Sequence, residues 1–189
     1  MRRAIRLGSG ALSYDQVAAH RSMVFDARRN ALYLDAFRGH LASGATVLDL
    51  GAGVGVLGLL ARQAGAGRVY LVDPSPVLHV AESAVRAMGL ADVHCLRGRA
   101  EDVDLDEPVD CIVSVFTGNL LLGEDLLPTL FRARDRFLAP GGRLFPDRGR
   151  IQVAACSAPD LYADEIACWD SAPHGLDLSA ARAFAANMP

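Results

Sequence analysis

The 189-residue chain carries a formal charge of −3, with 51% hydrophobic and 22% charged residues. That is enough for one domain with a sizeable core, and the composition is that of a soluble globular protein. The slight acidity argues against a broad nucleic-acid surface, no apolar run reaches the ~18 residues of a membrane span, and Arg2, Arg3 and Arg6 are not followed by the apolar stretch of a signal peptide.

In chain order, Ser13 to Leu41 reads as helical, with Val24, Ala27, Ala31, Leu34, Phe37 and Leu41 at spacings of three and four. ATVLDL (45–50) is a short apolar strand ended by GAGVG, and helical spacing resumes from Val54 to Ala64. RVYLVD (68–73) is a second strand, followed by Pro-Ser-Pro and a helix through Met88. DVHCLRG (92–98) and VDCIVSV (109–115) are a third and fourth strand, and a helix runs from Leu121 to Leu138. Pro-Gly-Gly then breaks the chain before RLFPDRGRIQVAA, another extended run. After Pro159 come LYADEIACWD, a Pro-His-Gly turn and LDLSAARAFAANM, which read as two short helices. Apolar strands alternating with helices predict an α/β fold: a doubly wound, Rossmann-like, mostly parallel sheet covered on both faces, with an N-terminal helical segment and a C-terminal helical arm. The four cysteines, Cys95, Cys111, Cys156 and Cys168, form no C-x-x-C pair. Buried free thiols are expected rather than disulfides or a metal site, which points to the cytoplasm.

VLDLGAGVG runs a strand into a turn with Gly51, Gly53 and Gly55, residues that let a backbone approach a ligand where a Cβ would collide. A helix follows, and Asp73 closes the next strand 22 residues after Gly51, placed to accept hydrogen bonds from a ribose. The dinucleotide fingerprint needs a small residue where this chain has Val56, and Asp49 just before the first glycine opposes a diphosphate. A phosphate-free cofactor with a positive centre suits Asp49 better, and S-adenosyl-L-methionine, leaving S-adenosyl-L-homocysteine as product, fits. Glu101, after the third strand, is placed either to accept from an adenine amino group or to stand as a solvated surface acid.

With these residues in view, the chain resembles the protein arginine methyltransferases, within the class I methyltransferases that use S-adenosylmethionine. The resemblance covers about Tyr14 to Pro189. It is carried by H-x-x-M-x-x-D-x-x-R-x-x-x-Y (His20, Met23, Asp26, Arg29, Tyr33), VLDLGAGVG, VYLVD and FRARDRFLAPGGRLFPDR. It implies that Arg29 pairs with the cofactor carboxylate with His20 beside it, and that Gly51 approaches the methionine part with Asp49 nearby. It also implies that Asp73 holds the ribose and Glu101 the adenine side; the family usually has Glu at the position of Asp73. Met23 is open between core and cofactor wall. His20 and Arg29 are nine residues apart, about two and a half turns of a straight helix. They can meet one ligand only if the segment bends or breaks between them.

The acceptor loop departs from the family. Where its signature resembles S-E-W-M-G, six connecting residues and a second E, this chain reads S-V-F-T-G-N-L-L-L-G-E from Ser114 to Glu124. Two carboxylates in the family grip a guanidinium, a planar fork that stays charged at any workable pH. Here Val115 stands at the first position, Phe116 and Thr117 follow, and Glu124 alone matches the second. One carboxylate beside Val115 suits an acceptor with at most one positive charge, a small-molecule or protein N or O nucleophile. Glu124 is the candidate catalytic residue, as base or orienting group, and a first-turn acid serving the helix dipole is the bland alternative.

The resemblance also divides the chain: 1–42 as a helical segment covering the cofactor, 43–149 as the S-adenosylmethionine-binding domain, and 150–189 as the start of a barrel region and a helical arm. Set against the family, most of that barrel is expected to be missing here, as a fragment, with a partner chain completing the site, or with an open acceptor cleft. The arm's Leu161, Tyr162, Ile166, Trp169, Leu176 and Phe184 call for burial on another surface, so a homodimer or heteromer through residues 159–187 is expected. Arginine methylation retained through Glu124, a non-catalytic cofactor-binding partner of an active methyltransferase, and a nicotinamide-dependent oxidoreductase are the competing readings. Val56 and Asp49 speak against the last.

Overall fold

The computed structural model describes residues 16–116 and 126–187. The chain divides into two compact units, one ending at Arg150 and the other beginning at Ile151.

The first unit is built on five parallel strands: β1 (Thr46–Leu50), β2 (Arg68–Asp73), β3 (Val93–Arg97), β4 (Val109–Ser114) and β5 (Leu138–Phe145). They lie in the order β3-β2-β1-β4-β5. The chain thus winds outward from β1 in one direction and returns to its other side at β4, which makes the β1–β4 border the switch point where such sheets bind ligands. The order follows from composition. TVLDL is buried at every position and VDCIVS at all but Asp110, so both need cover on two faces and take the centre. VHCLR is mostly half-buried and takes the edge.

Alternation along each strand sorts the core into two layers. Val47, Val69, Leu71, Cys111 and Val113 pack with Phe37, Leu57, Ala61, Leu78 and Ala81 from α2 (Ala27–His40), α3 (Val56–Gln63) and α4 (Leu78–Ala87). Leu48, Leu50, Tyr70, Val72 and Ile112 pack on the other face with Leu130, Ala133 and Phe137 of α5 (Leu127–Phe137). Phe37 is wholly buried and meets Phe145 edge-on, ring centres 5.5 Å apart. The N-terminal segment, expected as a cover over the ligand, is therefore also part of the core.

Two local expectations change. Ser13–Leu41 is not one helix: α1 (Val17–Val24) ends at Phe25, and α2 begins after Asp26, whose side chain accepts from the Arg29 N–H as its N-cap. Asn30 seals the joint by donating Nδ2 to the carbonyls of Met23 and Val24, the last residues of α1. The break required for His20 and Arg29 to face one space is thus present. Second, Pro-Gly-Gly does not precede the last strand but lies inside it. Val109 pairs with Leu138 and Cys111 with Arg143, so two steps of β4 match five of β5, and Gly141 at φ 79° absorbs the bulge. The extended run expected through Ala155 ends as a strand at Phe145.

The second unit holds α6 (Pro159–Glu165), two short 3-10 turns (Ala167–Ser171 and Pro173–Gly175) and α7 (Ala181–Asn187). Arg182 ties it together, donating to Asp170 at 2.6 Å and to the Tyr162 hydroxyl at 2.9 Å. None of its helical elements has a buried residue. Leu161, Tyr162, Leu176 and Phe184 are all exposed. All four cysteines are free, but Cys156 and Cys168, expected to be buried, are exposed: the arm supplies no core to cover them. Burial pushes the Cys111 thiol up to about 12, which leaves it an inert packing group.

Candidate functional site

A cavity of about 700 Å³ opens at the carboxyl ends of β1, β2 and β4, bounded by α1, the start of α2 and α5. Its floor is the turn after β1. Gly51, Gly53 and Gly55 all have positive φ, at 73°, 54° and 81°. Their roles differ. Gly51 lines the cavity, and the Phe116 ring lies so close that a Cβ there would sit 2.6 Å from its Cε1. Gly53 lies under the His20 ring, whose Nδ1 would be 2.7 Å from a Cβ. Gly55 begins α3 and packs against Ala81 and Leu71. Neither Gly53 nor Gly55 is among the residues lining the cavity. The first glycine lets the Phe116 ring pack against the turn at the edge of the cavity, and the other two let α1 and α4 close on it.

Asp49 stands on the face of β1 toward α3, where its Oδ2 accepts the Gly58 N–H at 2.7 Å. Gly58 is in the first turn of α3, whose N-cap Gly55 has no side chain to offer, so the strand caps the helix. Even so, burial dominates: the Asp49 carboxyl is pushed up to about 7, against the opposing effect of the Gly58 bond and with a further push from Asp73. Asp73 ends β2 with both oxygens engaged, Oδ2 by the Gly53 N–H and Oδ1 by the Ser75 N–H, each at 2.8 Å. Each oxygen keeps a second acceptor site, and Asp73 lines the cavity.

Arg29 comes from the first turn of α2. Its Nη1 donates to the Met23 carbonyl at 3.3 Å and to Asn30 Oδ1 at 3.0 Å, and its guanidinium lies 5.2 Å from the Tyr33 ring centre. Burial raises the Tyr33 hydroxyl above its ordinary value, with Arg29 opposing and Asp49 adding to the rise. His20 and Met23 of α1 complete this wall. At the other end Glu101 lines the cavity and takes a hydrogen bond from Arg132 Nη1 at 2.9 Å. Val115 and Phe116, just past β4, line the remaining side with Leu126 and Thr129. Thr117 and Glu124 lie outside the described residues.

His20, Met23, Arg29, Asp49, Gly51, Asp73, Glu101, Val115 and Phe116, selected from sequence alone, thus border one space. Three carboxylates, Asp49, Asp73 and Glu101, line it with three arginines, Arg29, Arg99 and Arg132, of which Arg132 is tied to Glu101. The acids can accept from a ribose and balance a cationic centre, and Arg29 can pair with a carboxylate. Arg99, Arg132, Thr129, Leu126 and Ser75 were not anticipated. Arg132 carries a faint signal, since it falls four residues before Arg136 in FRARDRF and so shares its helix face. A second cavity of about 830 Å³, between α1, α3 and α4, is lined mainly by apolar side chains such as Val17, Leu60, Val80 and Met88. Among the described residues its lining holds no carboxylate. Among the described residues there is no group of His, Cys, Asp and Glu that could hold a metal ion, and no helix is long and apolar enough to cross a membrane.

Residues 47–142, half of the chain, match the family described as methyltransferase domain, and the chain belongs to it. Within that family it is protein arginine methyltransferase-like. It is 42% identical over 171 residues to a probable protein arginine N-methyltransferase 6 of Arabidopsis thaliana, covering 89% of this chain and 39% of the relative. It is 41% identical over 171 residues to protein arginine N-methyltransferase 1 of Schizosaccharomyces pombe, covering 88% and 50%. Among solved structures, the Trypanosoma brucei PRMT1 enzyme–prozyme heterotetrameric complex with AdoHcy aligns at TM-score 0.79 and 32% identity, over 92% of this chain and 55% of that one. The chain therefore spans about half the length, or less, of the curated relatives it matches.

Proposed function

We propose that the chain binds S-adenosylmethionine and transfers its methyl group to an altered acceptor, a small-molecule or protein N or O nucleophile that a single carboxylate can orient, with arginine methylation retained through Glu124 as the alternative. The observation that carries the cofactor reading is the convergence of Arg29, Asp49, Gly51, Asp73 and Glu101 on one cavity at the switch point of the sheet. The cofactor supplies a methyl group already activated on a sulfonium. The chain's residues bind and orient. Arg29 offers its fork of donors to a carboxylate, Asp49 balances an ammonium, Asp73 accepts from ribose hydroxyls, and Glu101 accepts from the base. His20 and Met23 close the wall beside them. Because the electrophile is pre-activated, alignment supplies most of the acceleration, and no strong base is obligatory. Glu124 orients the nucleophile.

Val115 supports an altered acceptor. It packs against a core cluster and lines the cavity, and the family resemblance puts the first carboxylate of a guanidinium clamp at its position. Removing one partner of a buried ion pair costs about 3–5 kcal/mol, and a clamp reduced from two carboxylates to one would hold a guanidinium correspondingly more weakly. Titration calorimetry with S-adenosylhomocysteine tests the cofactor reading, and absence of both heat and displacement overturns it. Radiolabelled cofactor added to cell extract tests the transfer. A labelled product that disappears in Glu124→Gln supports the acceptor reading, and efficient labelling of an arginine-rich peptide restores the arginine reading.

A second reading is favoured by the same valine together with the enzyme–prozyme nature of the trypanosomal complex: a cofactor-binding subunit that supports an active partner. Under either reading the exposed apolar residues of 159–187 seat on a second chain, as a homodimer or heteromer. Free thiols suit a reducing compartment such as the cytoplasm.

A further inference from the structure

Helix α5 reaches the loop after β3 through two arginines one turn apart. Arg136 holds its backbone, donating Nη1 to the carbonyls of Ala100 and Glu101 at 2.9 and 3.0 Å and pairing Nη2 with Asp104 at 2.6 Å. Arg132 makes none of these backbone bonds. Its Nη1 goes to Glu101 Oε1 at 2.9 Å, and both residues line the cavity. A carboxylate on a flexible side chain has two rotatable bonds beyond Cβ and no reason to face a ligand unless something holds it. One Arg–carboxylate bond on Oε1 fixes that orientation and leaves Oε2 as acceptor for a donor in the cavity.

We infer that Arg132 is a positioning residue for base selectivity: it aims Glu101 at an exocyclic amino group, so that adenine is preferred over a base carrying a carbonyl in its place. The inference rests on the cofactor reading above. Because Arg136 anchors the loop independently, removing Arg132 leaves the loop in place and frees only the carboxylate. The Arg132 side chain is 65% exposed and that of Glu101 35%, so the pair is partly solvated and its effect is modest and sensitive to salt.

The test compares calorimetric affinities for S-adenosylhomocysteine and its inosine counterpart, S-inosylhomocysteine, in the full chain and in Arg132→Met. The wild-type protein prefers the adenine compound. Arg132→Met loses about three- to fivefold for the adenine compound and little for the inosine compound, so the ratio narrows. Arg132→Lys, which keeps the charge but not the fork, falls between. Raising the salt from about 0.05 to 1 M narrows the wild-type ratio and leaves that of Arg132→Met unchanged. A ratio equal in both proteins, or an equal loss for both compounds, overturns the inference while the cofactor reading stands. Failure of the wild-type protein to bind S-adenosylhomocysteine overturns both.

Discussion

Replacing Asp49 by Asn removes a buried carboxyl while preserving its shape and an acceptor for the Gly58 N–H. In the folded chain this carboxyl is raised from 3.8 to about 7. The rise is about three units, and at about 1.4 kcal/mol per unit it amounts to about 4 kcal/mol. The sign follows from proton binding: the folded state holds the proton more tightly than the unfolded state, so stability falls as pH rises. The penalty is absent below about pH 3.8, grows through the interval, and is complete above about 7. The ligand-free Asp49→Asn protein should therefore melt close to wild type at about pH 4 and above it at pH 8, with the gap opening in between. With a melting shift of roughly 2–4 °C per kcal/mol for a chain of this size, the gain is at most about 8–16 °C. Differential scanning fluorimetry from pH 4 to 8 on both proteins measures it, and subtracting the two curves cancels the other titrating groups. The bound product's ammonium should relieve the penalty, so the melting shift from S-adenosylhomocysteine should grow with pH in wild type and stay flat in the variant. Parallel pH curves for the two ligand-free proteins would refute the reasoning.

Asp73→Ala strands the Gly53 and Ser75 N–H groups and should cost about 2–4 kcal/mol of stability in urea unfolding, besides most of the affinity for S-adenosylhomocysteine; unchanged affinity removes the ribose role. Gly51→Ala forces an alanine into φ 73° against the Phe116 ring, at about 1–2 kcal/mol for the backbone alone, and calorimetry should show cofactor affinity reduced at least tenfold. Val115→Glu restores the missing carboxylate at the end of β4: it should destabilise the ligand-free protein by a few kcal/mol and raise radiolabel transfer to an arginine-rich peptide. A variant as inactive on that peptide as wild type means that more than Val115 separates this site from a guanidinium clamp.

The sheet was legible because its strands are short apolar runs punctuated by turns, and two-faced burial leaves no other home for TVLDL or VDCIVS. The bulge in β5 was not, since Pro140, Gly141 and Gly142 are the usual residues of a chain break and only pairing with β4 makes them part of a strand. The break between α1 and α2 was invisible to hydrophobic spacing, which runs unbroken from Val24 to Phe37. It was demanded instead by chemistry, through the need to bring His20 and Arg29 to one ligand, and Asp26 and Asn30 supply it. In the site, single residues were readable where a motif named them. Their mutual bonds were not, because the reach of Arg132 to Glu101 spans 31 positions and depends on how α5 lies against the loop.

Asp73 has a consequence for anyone redesigning the pocket. The same carboxylate that would receive a sugar also pins the turn at Gly53 and the chain at Ser75. Lengthening it to glutamate, or neutralising it to admit a sugar-modified analogue, shifts the floor along with the grip. Retuning this chain for unnatural cofactors is therefore better begun at the base end, where Glu101 and Arg132 can be exchanged without disturbing the turn beneath the ligand.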